Sequence, residues 1–170
     1  MGLIKPRYTR VNLLTDFREA LVNRYEDTSD TSIDFSGIDL NGEDLSKFDL
    51  HGIILKRACL YKCNLSRANL RETNMENADL REATLKYAKM GQSNLRHAKL
   101  TKANLRCAKL EYADLSHSDL REANLAFADR RNADLAGADL TGADLTNANL
   151  VGANLTGVFM ADVDTKRAKF

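Results

Sequence analysis

From residue 33 onward, hydrophobic and polar positions recur with a period of five. Stepping by fives from Phe35 gives Leu40, Leu45, Leu50 and so on, through Met75, Met90 and Leu150 to Met160. Of these 26 positions, 25 are large and apolar, and Arg130 is the exception. Two residues before each, except at Glu43, stands a small or apolar residue, such as Ala68, Ala98 or Ala133. Between the two stands mostly Asp or Asn, as at Asn69, Asp79 and Asp134. The other two places are polar, charged or Gly. Neither an α-helix nor a plain strand has this period. It predicts a coil that turns a corner every five residues, with one large and one small side chain per side facing inward. The second corner residue is Gly or Asn at Gly37, Gly42, Gly52, Asn77, Asn132, Gly137, Gly142, Asn147, Gly152 and Gly157. A type II turn needs positive φ at that place.

Charge fixes the number of sides. Every twenty residues, the second corner place reads Gly42, Lys62, Glu82, Lys102, Glu122, Gly142. The signs alternate, so with four sides per coil opposite charges meet between backbones about 4.8 Å apart. A three-sided coil would stack Lys62, Asn77, Gln92 and Cys107, which has no such logic. The expected fold is an all-β solenoid, a four-sided parallel β-helix of about 6.5 coils. Its buried leucines supply the stability, roughly 1.5–3 kcal/mol each.

Consecutive A(D/N)LXX words over residues 33–164 resemble the pentapeptide-repeat proteins. The resemblance implies a right-handed quadrilateral β-helix and no enzymatic activity. Many cyanobacterial members have developmental or regulatory roles through protein partners. One subset of the family mimics DNA and protects gyrase from quinolones.

Residues 1–32 form a separate N-terminal segment. Within it Leu14, Phe17, Leu21, Val22 and Tyr25 are spaced near three and four, the apolar stripe of an amphipathic helix, with Asn12 or Thr15 as N-cap. Residues 27–32 read as a polar connector. The helix is expected to cover the open edge of the first coil, the alternative being a partner-binding arm. At the other end Thr165 breaks the pattern, and residues 165–170 read as a tail. There Phe159, Met160, Val163 and Phe170 are expected to close the core, or else to form a homodimer contact.

The 170 residues carry 25 Lys plus Arg and 24 Asp plus Glu. Bulk charge therefore marks neither a nucleic-acid binder nor an acidic mimic. No apolar run is long enough to span a membrane, and no signal peptide is apparent. Three cysteines, Cys59, Cys63 and Cys107, form an odd set without zinc spacing. They fit reduced thiols in the cytoplasm. No nucleotide-binding loop, nucleophile elbow or metalloprotease motif is present. The repeated Asp residues read as turn partners rather than acids or bases. His97 and His117, twenty apart, are expected to be neighbours without a third ligand, so no metal and no cofactor is expected.

Function then falls to the outward positions. Residues 1–50 carry net −4, residues 51–125 net +6 and residues 126–170 net −1. Wrapped on four sides, the basic excess gathers into a ridge interleaved with aromatics: Arg67, Lys86, Tyr87, Lys89, Arg106, Lys109 and Phe127, with Tyr112 near. Enrichment in Tyr, Phe and Arg is typical of interface centres. A buried guanidinium without a partner is costly. Arg130 is therefore expected to swing outward or sit on a bulge beside Arg131, or to anchor a partner. The expected function is a rigid, non-enzymatic scaffold whose basic and aromatic face binds an acidic protein partner. The alternatives are gyrase protection by DNA mimicry, which the positive middle opposes, and weak nucleic-acid binding along the ridge.

Overall fold

The computed structural model describes residues 15–19, 21 and 33–170. From Asp34 to Lys169 the chain pairs with itself in parallel at an offset of twenty, Asp34↔Ile54, Asp39↔Cys59 and Asp44↔Asn64 through to Asn149↔Lys169. Four pairing residues per twenty-residue circuit make four sides, as the alternating charge column predicts. We number the sides by these residues: side 1 carries Asp34, Ile54 and Asn74, side 2 Asp39, Cys59 and Asp79, side 3 Asp44, Asn64 and Thr84, and side 4 Asp49, Asn69 and Lys89.

The corners repeat one turn. The N–H after it returns to the carbonyl before it, as in Ala103 N–H to Leu100 O at 2.9 Å. The second corner residue has positive φ at every fifth position from Gly37 to Arg167, including Lys62 (φ 58), Tyr87 (φ 59) and Phe127 (φ 60). Twenty of these residues are not glycine. Their left-handed conformation is unfavourable for L-residues, so the ladder of backbone bonds between coils must outweigh it.

The Asp or Asn of each word explains itself locally. Its side-chain oxygen accepts the N–H two residues on: Asp34 from Ser36 at 2.8 Å, Asp134 from Ala136 at 2.9 Å, Asn154 from Thr156 at 3.1 Å. Asp44 and Asp164 are held below the usual carboxylate range chiefly by these backbone N–H groups, of Ser46 and Lys166. The interior is a stack of leucines and alanines, fully buried from Leu40 to Leu150. The small polar residues that take the inward small slot satisfy themselves: Cys63 Sγ donates to Leu40 O, Thr73 Oγ1 to Leu50 O, Ser93 Oγ to Met90 O and Ser118 Oγ to Leu115 O. Burial pushes the Cys63 thiol up to about 11.

Residues 15–19 are helical, with Thr15 inside the helix. Phe17 is fully buried against Phe35 with ring centroids 4.6 Å apart, and the Arg18 guanidinium lies 5.7 Å from the Phe48 ring centre. Leu21 is buried as well. Asn12, Leu14, Val22, Tyr25 and residues 27–32 lie outside the described residues.

Three sequence expectations are corrected. The coil does not stop at 164: Asp144↔Asp164 and Asn149↔Lys169 pair, and Ala168 N–H meets Thr165 O at 2.9 Å. Backbone pairing does not depend on Thr165 being apolar. Met160 and Val163 pack on the core, but Phe159 and Phe170 do not close it; Phe159 takes an outward pairing place and is 64% exposed. Arg130 neither swings outward nor sits on a bulge. Its side chain is 0% exposed, inside the leucine stack. The pairs Lys109↔Asp129↔Asn149 and the bond from Arg130 N–H to Asn149 O at 2.8 Å hold it in register. Turning it out would break that ladder.

His97 and His117 stack on adjacent coils, with ring centroids 5.2 Å apart and planes at 11°. The next residue in this column is Gly137 at φ +66, where a Cβ would lie 2.6 Å from His117 Nδ1. Gly137→Ala should lower stability by about 1–2 kcal/mol, from left-handed strain and the displaced ring. Urea titration of the single variant and of Gly137→Ala/His117→Ala checks it: the double variant should recover the steric part and keep the strain.

Candidate functional site

The corner between sides 3 and 4 is built by residues 66–67, 86–87, 106–107 and 126–127. Their positive φ throws the second residue of each pair off the edge of the rod. Tyr87 is 52% and Phe127 48% exposed on this crest, one coil either side of Cys107. The Arg67 guanidinium lies 5.7 Å from the Tyr87 ring centre, and that of Arg106 lies 4.6 Å from the Phe127 ring centre. Such cation–π contacts contribute about 0.5–1 kcal/mol when exposed. They also hold each guanidinium beside an apolar surface. Lys86 and Arg106 stand on the side-3 flank of the crest, and Lys89 and Lys109 on side 4, where they pair with each other through the backbone.

The charge at this corner is uncompensated. Among the described residues Arg67, Lys86, Lys89, Arg106 and Lys109 form no ion pair. The local reason is visible in the words. Arg81, Arg121 and Arg131 each follow an aspartate two places earlier and clasp it, Asp79, Asp119 and Asp129 respectively. Arg106 follows Asn104 and Lys86 follows Thr84, so neither finds a carboxylate. Lys89 and Lys109 occupy the pairing place where most words have Asp or Asn. An ammonium cannot accept the turn N–H, so these two words give up a hydrogen bond that is worth about 0.5–1.5 kcal/mol. The fold does not ask for lysine there.

The neighbouring corner between sides 2 and 3 is neutralised. Lys62 meets Glu82 and Lys102 meets Glu122, each at 3.5 Å. The expected ladder therefore pairs in twos, and Glu82 also accepts the Tyr61 hydroxyl at 3.1 Å. Tyr61, with Lys62 and Arg81 over its ring, is a cluster that reading by fives did not single out; the twenty-residue register brings Arg81 onto it.

Of the sequence-predicted site residues, the structure gathers Arg67, Lys86, Tyr87, Lys89, Arg106, Lys109 and Phe127 on one edge. Tyr112, 63% exposed, stands on the next corner beyond Lys109. Arg131 is on that corner too, spent on Asp129 at 2.8 Å and Glu111 at 3.7 Å. Arg130 does not belong to the surface at all. Cys59 stands in an outward pairing place and Cys63 faces the core, so the two do not converge. Among the described residues no group of three or more His, Cys, Asp or Glu could hold a metal ion, and no helix is long and apolar enough to cross a membrane.

Comparison with known proteins places this geometry. The family model described as pentapeptide repeats matches in eight copies across residues 33–71, 63–101, 98–129 and 123–162. The comparison with curated proteins gave no match. Among solved structures, HetL, a pentapeptide repeat protein involved in heterocyst differentiation regulation from the cyanobacterium Nostoc sp. strain PCC 7120, is 32% identical over 81% of this chain and 72% of its own, with a TM-score of 0.37. Rfr23 from the cyanobacterium Cyanothece 51142 is 22% identical over 95% and 99%, with a TM-score of 0.29. QnrB1, a plasmid-mediated fluoroquinolone resistance protein, is 20% identical over 78% and 91%, with a TM-score of 0.36.

Proposed function

The chain belongs to the pentapeptide-repeat family, and from that premise we propose that it is a non-enzymatic scaffold that docks a protein partner with an acidic surface on the corner between sides 3 and 4. The observation that carries this reading is the cluster of five cations, unpaired among the described residues, around exposed Tyr87 and Phe127, at positions where Lys89 and Lys109 forgo a turn bond. Like charges stacked on adjacent coils are unfavourable in the free protein. An acidic partner removes that repulsion on binding. The outward aspartates serve the turns, accepting backbone N–H groups as Asp34 and Asp134 do, a structural use and not acid–base work. A cytoplasmic setting, with the three free thiols reduced, goes with this reading. So does the finer picture of the fold, a right-handed coil whose first edge is covered by the helix carrying Phe17.

Gyrase protection by DNA mimicry needs a negative surface along the rod, and this corner has the opposite sign. HetL is involved in heterocyst differentiation regulation, and a regulatory role is the version of the scaffold we favour. The exposed Phe159 and Phe170 are the surface on which a homodimer contact at the C-terminal end would form.

The test is an affinity capture from source-cell lysate with wild type and with Arg67→Glu, Lys86→Glu and Arg106→Glu combined. All three side chains are outside the core, so the variant should fold with unchanged melting. It should lose the proteins that wild type retains. Identical recovery by both would remove this corner as the site.

A further inference from the structure

The shape of the corner narrows the partner. We propose that it seats a short, extended acidic polypeptide segment that runs along the rod and straddles the crest, placing carboxylates on both flanks. This rests on the reading of the corner as a partner site. Four observations lead to it.

First, the site is an edge and not a groove. A four-sided coil turns sharply between sides 3 and 4, so a flat protein surface would touch the crest alone and leave the flanks unmet. A chain laid along the edge reaches both. Successive side chains of an extended strand point to opposite faces, and a segment over the crest therefore sends alternate residues down opposite flanks.

Second, the cations are placed on both flanks with one repeat distance. Lys86 and Arg106 are one coil apart on side 3, and Lys89 and Lys109 are one coil apart on side 4. Adjacent coils are separated by about 4.8 Å. None of the four has an acidic partner among the described residues.

Third, the crest is apolar. Tyr87 and Phe127 are about half exposed with a guanidinium over each ring. They present surface for the backbone and the aliphatic stems of the bound segment, while Arg67 and Arg106 keep donors free at the ring edges for carboxylates.

Fourth, the positive stretch is short and has acid on its flanks at both ends. Asp44 and Asp49 precede it on sides 3 and 4, with Lys47 on the crest between them, and Asp129, clasped by Arg131, and Asp144 follow it. From Arg67 to Phe127 the crest spans three coil spacings, about 14 Å. That length takes four or five extended residues at about 3.3 Å each. A nucleic-acid strand is a continuous line of phosphates and would run on over Asp44 or Asp144. A peptide carries its acids only where they are needed. This bounded charge is why we assign the corner to an acidic segment of a protein and not to a nucleic acid.

The experiment is fluorescence anisotropy on the full chain. The probes are a fluorescein-labelled octapeptide rich in Glu with two Leu, the same peptide with Gln for Glu, and a labelled oligothymidylate of similar length. The Glu peptide should bind saturably, and the Gln peptide should not. Lys86→Glu with Arg106→Glu, and separately Lys89→Glu with Lys109→Glu, should each weaken the Glu peptide about tenfold or more. Arg57→Glu with Arg71→Glu, which makes the same change in net charge on other corners, should weaken it less than about threefold. Circular dichroism melts confirm that each variant is folded.

Equal loss from the Arg57/Arg71 control would reduce the binding to bulk charge and overturn the proposal. So would loss confined to one flank, since a segment lying on one side would not straddle the edge. Tighter binding of the oligothymidylate with a steep salt dependence would assign the corner to nucleic acid. If wild type ignores the Glu peptide but the charge-reversed triple variant still empties the lysate capture, the corner is a site for a partner of another shape and this inference alone fails. If neither assay responds, the reading of the corner as a partner site fails with it.

Discussion

Replacing Arg130 with Leu should make the protein more stable, by about 3 kcal/mol, which for a chain of this size raises the melting temperature by roughly 6–12 °C. Arg130 is fully buried between Leu110 and Leu150 of the same column, and its Nε, Nη1 and Nη2 have no hydrogen-bond partner among the described residues. A charge taken out of water without compensation costs several kcal/mol. Leucine is smaller, but it is the residue that fills this slot in the neighbouring coils and restores the column. The urea midpoint should rise with an unchanged slope, because the surface exposed on unfolding hardly changes. The sign with pH follows from burial, which pushes the Arg130 guanidinium down to about 9, well below the usual guanidinium range. Above that value, and until an ordinary guanidinium titrates, the unfolded chain binds the proton and the folded chain does not. Arg130 therefore weakens the fold fully below about 9 and progressively less as pH climbs above it. The advantage of Arg130→Leu over wild type should be constant through neutral pH. It should then shrink on the alkaline side by up to about 1.4 kcal/mol per pH unit. Equal stability of the two proteins at neutral pH would mean that the guanidinium reaches a partner or solvent after all.

Arg130 also shows how the sequence could mislead. Two physical arguments compete there. Desolvation argues for an outward arginine; register argues for an inward one. No residue is inserted or lost between Leu125 and Leu135, so a bulge has no extra residue to use. Each flanking bond of the ladder would have to break to turn the side chain out, and register prevails. The same rigidity made the rest of the fold legible. The leucine frame, the corner at every fifth residue and the four sides follow from period and charge alone, because one turn is repeated without interruption. Thr165 misled in the opposite direction: a polar residue in the large slot looks like an end, yet the coil carries on to Lys169.

The site was legible as a set of columns but not as a charge balance. Counting along columns brought Arg67, Lys86, Tyr87, Arg106 and Phe127 together. It also foretold Lys62 with Glu82 and Lys102 with Glu122. It did not foresee that arginines prefer the aspartate two residues back in their own word, as Arg121 prefers Asp119 at 2.7 Å. That local clasp takes Arg131 out of the candidate face. Its absence at Arg106, where the word supplies Asn104, leaves that guanidinium on the Phe127 ring. One side chain in each word thus decides which cations remain available to a partner.

The opposite core change should be as large in the other direction. Leu105→Ala should cost about 2–5 kcal/mol, measured by urea unfolding. Leu105 is fully buried in the column between Leu85 and Leu125, with a filled coil on either side. The rod is too continuous to collapse into the cavity, since each coil is fixed by bonds to both neighbours, such as Leu85 N–H to Asn104 O and Leu105 N–H to Asn124 O, each at 2.7 Å. Met160→Ala, near the end where the core is only partly covered, should cost clearly less. In a repeat array each coil is stabilised through its neighbours, so the central cavity is felt on both sides and the terminal one mainly on one. The slope of the transition distinguishes two outcomes. An unchanged slope means the rod unfolds as one unit; a shallower one means the cavity has divided it into two. Leu105 lies directly beneath Arg106 and the crest. If the rod stays whole, the folded fraction of Leu105→Ala should hold the corner in its native register. Loss of partner capture by that folded fraction would then show that recognition depends on the interior fit as well as on the outward charges.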